Sequence, residues 1–251
     1  WNSRGEFFSV YFGMFASLSP LASCEEKLQR RRWLSGATSW ASVPGSLAVV
    51  VASIGVTTFD GAQEGTLKAP IEWLQERIGD FGFAATISVR AGDTVFLLLT
   101  VGFVALIYLL GVRGMTRVVS APSFSVLRSR FVHTLIPIAL AYLVAHYFSL
   151  FVFQEQAQFT YLLSDPLGNG ANLFGTANSG IDYTVIGPEL VWYVQVGVLI
   201  AGHVTALVLA HDRAVLIWSD YRLAARSQYW MLAVMICFTS LGLFLLSAAN
   251  Q

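Results

Sequence analysis

Four histidines carry most of the chemistry available to this 251-residue chain, and all four fall in or at the edges of two long apolar runs. His133 and His146 belong to the run 131–153. His203 and His211 belong to the run 190–212, and Asp212 follows His211 directly. A neutral imidazole offers a lone pair to a metal or a proton. Ionisable groups inside a bilayer are costly and usually face the interior of a helix bundle or a cavity, so their concentration marks a candidate site.

Spacing sorts these residues by depth. A helix rises ~1.5 Å per residue, so His146 lies roughly 20 Å beyond His133 along one run. The next run returns, bringing His211 and Asp212 back to the level of His133, with His203 about 12 Å short of them. His133, His211 and Asp212 therefore form the candidate metal set, because two imidazoles and a carboxylate suit Zn or non-haem Fe. Asp60, in the string TTFDG, belongs to the opposite face and is a further candidate ligand or proton group that can join His146. His203 is a candidate midway proton or ion group. No H-E-x-x-H pattern accompanies the set. Haem is disfavoured: 13 residues between His133 and His146 rotate the second about 220° from the first, and eight between His203 and His211 rotate it about 80°. In the plainer reading each histidine bonds a neighbouring helix, a contact worth ~0.6–2 kcal/mol, and Asp212 pairs with Arg213 at the headgroups.

The elements that must position these groups are membrane helices. Hydrophobic residues make up 55% of the chain and charged ones only 12%, about half the share of a soluble domain. Mean hydropathy is +0.62. Five apolar runs, 40–59, 94–112, 131–153, 190–212 and 229–248, approach or reach the ~20 residues needed to cross a bilayer core. Unpaired backbone groups are not tolerated in hydrocarbon, so the runs are expected to be helices in an all-α polytopic bundle, a single membrane domain. The first is the weakest, since Pro44 and Gly45 interrupt it and its strongly apolar part is only 46–59. Pro137 is expected to kink the third, and a kink there can open a cavity beside Tyr142 and His146. Stretches 6–18 and 69–83 are expected to be interfacial amphipathic helices. Residues 154–189, rich in Gly, Asn, Asp and Ser, form a long outer loop.

Basic residues support this topology. Arg4, Lys27, Arg30, Arg31 and Arg32 precede the first run; Lys68, Arg77 and Arg90 follow it among six acids; Arg113, Arg117, Arg128 and Arg130 fill the next connector. The connector 154–189 has none, 213–228 has Arg213, Arg222 and Arg226, and the tail has none. The positive-inside rule then puts residue 1 inside and residue 251 outside, as in a bacterial inner (cytoplasmic) membrane. Trp33, Trp40, Trp192, Trp218 and Trp230 fall at run ends, where an indole anchors at the headgroups. Net charge is zero, which argues against nucleic acid as a partner. Cys24 and Cys237 are too few for a metal cluster of their own.

Several strings carry a family resemblance: WNSRGEFFSVYFGMFASLSPL, TTFDG, HTLIPIALAYLVAHYFSLFVFQ, SDPLGNGANLFGTA and VWYVQVGVLIAGHVTALVLAHDRAV. Over residues 1 to 245 the chain resembles bacterial multi-spanning proteins labelled "fenitrothion hydrolase". The resemblance implies a membrane-bound organophosphate hydrolase with a further membrane-embedded N-terminal half; Trp1 in place of Met fits such a missing portion. It transfers no catalytic residues. Organophosphate hydrolysis would call for a metal to generate hydroxide, and the His133, His211, Asp212 set has too few ligands for a paired-metal site unless other residues complete it.

Three functions follow as expectations. The first is a subunit of a larger membrane complex or a metal-binding membrane protein, its partners being the bilayer and other spanning segments. The second is the hydrolase-like enzyme. The third is a transporter or proton pathway, which requires a continuous polar path.

Overall fold

The computed structural model describes residues 6–24 and 27–248. Trp1, Arg4 and residue 251, on which part of the charge and orientation reading falls, lie outside the described residues. The chain runs α1 (Phe7–Ala16), a two-stranded antiparallel hairpin β1 (Leu21–Cys24) and β2 (Lys27–Arg30), α2 (Ser35–Ser39), α3 (Ser46–Gln63), α4 (Lys68–Asp80), α5 (Ala85–Met115), α6 (Phe124–Phe131), a 3-10 turn (Val132–Leu135), α7 (Ile136–Phe153), α8 (Pro188–Ile217) and α9 (Tyr221–Ala248). Among the described residues, five helical segments are long and apolar enough to cross a membrane: 46–63, 85–115, 124–153, 188–217 and 221–247. The protein is a multi-pass, all-α membrane bundle.

Four of the five helices extend past their apolar runs, because a hydropathy window sees only the hydrocarbon part and the polar turns beyond it continue the same backbone. The first is displaced instead. Gly45 adopts φ +96°, a left-handed conformation that ends the Pro44 turn, so α3 begins at Ser46 and runs on to Gln63.

The five segments close a ring in the order α3, α7, α8, α9, α5 and back to α3. Contacts fix their directions. Gln195 on α8 donates to the carbonyl of Ala145 on α7 at 2.9 Å. Gly202 on α8 lies against Pro137 and Ala141, and a Cβ there would sit 2.3 Å from that of Ala141. These two helices are therefore antiparallel and nearly touching, as small residues permit. Gly111 against Val234 and Gly114 against the Trp230 ring make α5 and α9 antiparallel as well. One end of the ring thus collects the arginine-rich connectors around 113–130 and 213–228, and the other collects Asp60 and the long connector 154–187.

The break around Pro137 has a local solution. Proline has no N–H to give the carbonyl of His133, and Ile136 donates to that carbonyl instead, tightening the turn to 3-10. One turn earlier, the Tyr108 hydroxyl donates to the Arg128 carbonyl at 2.7 Å. The core around it includes Phe131, Leu135, Ile136, Ile138, Met231 and Phe238, all essentially inaccessible.

The peripheral pieces differ in attachment. Helix α1 packs beside α7, with Met14 buried and the Tyr11 hydroxyl 3.5 Å from Ser53 Oγ, while Phe7, Phe8 and Phe12 remain exposed. Helix α4 lies on the first turns of α5, where Gln75 Nε2 donates to Asp93 Oδ1 at 2.9 Å. Between 154 and 187 the chain is tied rather than open. Buried Ser164 donates to Asn172 and accepts from the N–H groups of Phe174 and Thr176, and Asp165 accepts from Asn169 and Gly170. Trp218 closes the short turn between α8 and α9, at the helix end where the sequence puts it, and is buried against the core.

Candidate functional site

The Asp60 end of the ring holds a cavity of about 370 Å³ between four helices. Its polar lining is Thr57, Thr58 and Asp60 from α3, Tyr142, His146 and Ser149 from α7, and Gln195 from α8; Gly61 and Gly242 leave it room. Asp60 and His146 meet across it, with Oδ2 and Nε2 2.7 Å apart. The other carboxylate oxygen accepts from Gln63 Nε2 at 2.9 Å. The side chains of His146 and Asp60 are 27% and 42% exposed, so the pair is open to whatever fills the cavity.

The sequence positions each member. Asp60 sits one turn from the end of α3, near the level where the apolar run gives way to polar residues. The Thr57 hydroxyl turns back on the Ser53 and Ile54 carbonyls, and that of Thr58 on Ile54, so neither strands a donor. Their oxygen lone pairs remain as acceptors at the cavity wall. On α7, Tyr142, Ala145, His146 and Ser149 share one face by three- and four-residue spacing. Tyr142 donates to the Phe238 carbonyl at 3.3 Å, and Gly242 makes space for it, since a Cβ there would lie 2.7 Å from the hydroxyl.

The short bond also orients the imidazole. An ionised carboxylate only accepts, so His146 Nε2 carries the hydrogen and Nδ1 the lone pair. A Cβ on Gly61 would lie 3.5 Å from Nδ1, and glycine at this place leaves the nitrogen approachable. The arrangement provides a proton acceptor backed by a negative charge. The lining contains one carboxylate and no lysine or arginine, so it favours a proton or another cation over an anion.

The sequence candidates divide. Asp60 and His146 come together as their shared end of the bundle suggested, beside Tyr142, and in a cavity. The set His133, His211 and Asp212 does not converge. His133 is buried at 2% exposure on the 3-10 turn, whereas His211 and Asp212 lie on the exposed face of α8. Equal depth did not suffice, because the three point from different sides of their helices. Among the described residues, no three His, Cys, Asp or Glu side chains are grouped so as to hold a metal ion. Nor do Asp212 and Arg213 pair: Arg213 donates to the Thr38 carbonyl at 2.6 Å. His203 is buried at 3% exposure, bonded through Nδ1 to the Leu199 carbonyl at 2.7 Å, one turn back on its own helix.

Sequence reasoning missed Gln195, Ser149 and the paired threonines as lining groups. Gln195 had a signal, being an amide alone in the apolar string VWYVQVGVLIAG. The threonines had a weaker one in their place directly before Asp60. Comparisons with known protein families, with curated proteins and with solved structures find no match to this chain.

Proposed function

We propose that this chain is a proton-handling transport protein of a bacterial cytoplasmic membrane, working through the Asp60–His146 pair, with its arginine-rich end on the cytoplasmic side. The observation that carries the reading is the 2.7 Å carboxylate–imidazole contact inside a cavity whose lining includes no lysine or arginine. An intramembrane pair of this kind is expensive to keep unless it is used. A proton arriving by water is taken by His146 Nδ1, and the resulting imidazolium is held by Asp60 through Nε2–H. Loss of the proton restores the neutral ring. Thr57, Thr58, Ser149 and Gln195 offer oxygens to the water that brings it.

The test is proton flux into proteoliposomes containing the whole chain, driven by a pH gradient. Asp60→Asn keeps the shape but removes the charge that holds the imidazolium, and the expected result is a drop of at least about tenfold, the factor of one ordinary charged hydrogen bond. His146→Gln is expected to do the same. Unchanged flux in both variants refutes the reading.

The same pair favours a second reading, that of a metal-binding subunit in a larger membrane assembly. Asp60 and His146 would give a carboxylate and an imidazole to one divalent ion, Zn or Fe, and another chain the remaining ligands. The hydrolase that the family resemblance implies would draw on the same two groups. Metal content and co-purifying chains of a native preparation decide between this reading and the first: stoichiometric metal lost in Asp60→Asn supports the metal subunit.

A further inference from the structure

Two lining residues of the cavity, Tyr142 and Leu199, also touch a buried histidine that the Asp60–His146 pair does not use. We propose that His203 is a second proton-accepting site, reached from the cavity past Tyr142. The inference rests on the proton-handling reading of the cavity but invokes different atoms.

Its tautomer is set by its surroundings. The Leu199 carbonyl can only accept, so the 2.7 Å contact puts the hydrogen on Nδ1. Nε2 is then a lone-pair acceptor, and it is buried with no hydrogen-bond partner. A buried acceptor without a partner is costly, and such groups commonly mark a water or a functional proton. The histidine is 97% inaccessible by its 3% exposure, so bulk solvent does not satisfy it.

Two residues join this position to the cavity. Tyr142 lines the cavity and also abuts His203, with ring centroids 6.2 Å apart in an edge contact. Leu199, the residue whose carbonyl holds Nδ1, lines the cavity too. The Tyr142 hydroxyl is held by a long bond of 3.3 Å to the Phe238 carbonyl, which is easily exchanged for water. From the antiparallel register of α7 and α8, His203 lies about 12 Å along the bundle from His146. That is a span of a few waters. Among the described residues, the titratable side chain in ring contact with His203 is Tyr142 from α7. The transfer is simple: a hydronium O–H bond breaks, Nε2 takes the proton, water is left, and Nδ1–H stays on Leu199. Release reverses these events through the same nitrogen, so His203 stores a proton rather than passing it through.

The test is nitrogen NMR of ¹⁵N-histidine in the whole chain in lipid nanodiscs, titrated with pH, with His203→Gln and His146→Gln assigning the signals. The expected result is that His203 Nε2 moves from the position of a lone-pair nitrogen to that of a protonated one and shows contact with water, also in Asp60→Asn. Tyr142→Phe, which keeps the ring, is expected to speed its exchange with water by about tenfold. A His203 signal that stays unprotonated and without water contact, while His146 titrates, overturns the proposal and leaves the Asp60–His146 reading standing. If His203→Gln does not fold, His133→Leu, His146→Gln and His211→Gln assign the other three histidines and leave the His203 signal by difference.

Discussion

The two ends of the bundle treat histidine in opposite ways. At the Asp60 end, His146 has a charged partner at 2.7 Å, partial exposure and a cavity beside it. At the arginine-rich end, His133 is 2% exposed in a stretch where Phe131, Val132 and Leu135 are buried as well, and its Nε2 has no hydrogen-bond partner. Both residues sit on the same helical segment, 13 positions apart. What differs is the packing opposite. Glycines, threonines and an amide line the cavity beside His146, whereas His133 is closed off from solvent, with the Arg213 side chain and the Arg130 backbone near it. What surrounds an ionisable residue, and not its presence in a span, therefore separates a reachable histidine from a sealed one.

The comparison can be broken first at the seam that holds both ends together. Gly202→Val would place a Cβ 2.3 Å from Ala141 and 2.9 Å from the Pro137 carbonyl, neither of which can yield without moving backbone. The expected cost is about 3 kcal/mol or more, seen as a large fall in melting temperature in detergent. A melting temperature equal to wild type would show that α7 and α8 are not in close contact.

The contrast itself is sharpened by giving both histidines the same substitution. His133→Leu removes a buried nitrogen without a partner and replaces it by an apolar group of similar reach. Stability is expected to stay level or rise by about 1 kcal/mol. His146→Leu strands the Asp60 carboxylate, and a loss of about 1 kcal/mol is expected, discounted because the pair is partly exposed. Shifts of equal sign in unfolding experiments would erase the distinction between the two ends.

The smallest effect lies in the loop beyond the Asp60 end. The Thr184 hydroxyl and backbone N–H both donate to Asp182, which holds its carboxyl below the ordinary carboxylate range. A carboxyl depressed in the folded state stabilises the turn above its unfolded value, and this is lost as pH falls through the lowered folded value. Thr184→Val is expected to move the Asp182 titration upward in NMR while leaving global unfolding untouched.

Much of this architecture was legible beforehand. Five crossings follow from run length and hydropathy, and the alternation of arginines matches the two ends that contacts now define. The shared end of Asp60 and His146 was readable from depth alone. Rotation was not: His133, His211 and Asp212 were matched in level but face different directions, and helix rotation depends on packing partners that no local spacing encodes. The same limit hid the burial of Trp218, which comes from the tight turn into α9. Gln195 was overlooked because one amide in an apolar run has no periodicity to mark it.

The most direct test is chemical modification of histidine in the intact chain in lipid, followed residue by residue by mass spectrometry. Carbethoxylation of His146 is expected to run at least about tenfold faster than that of His133, since one lines an open cavity and the other is sealed, and to abolish proton flux as it proceeds. Equal rates at the two positions, or full modification of His146 with flux intact, would contradict a working site at the Asp60 end.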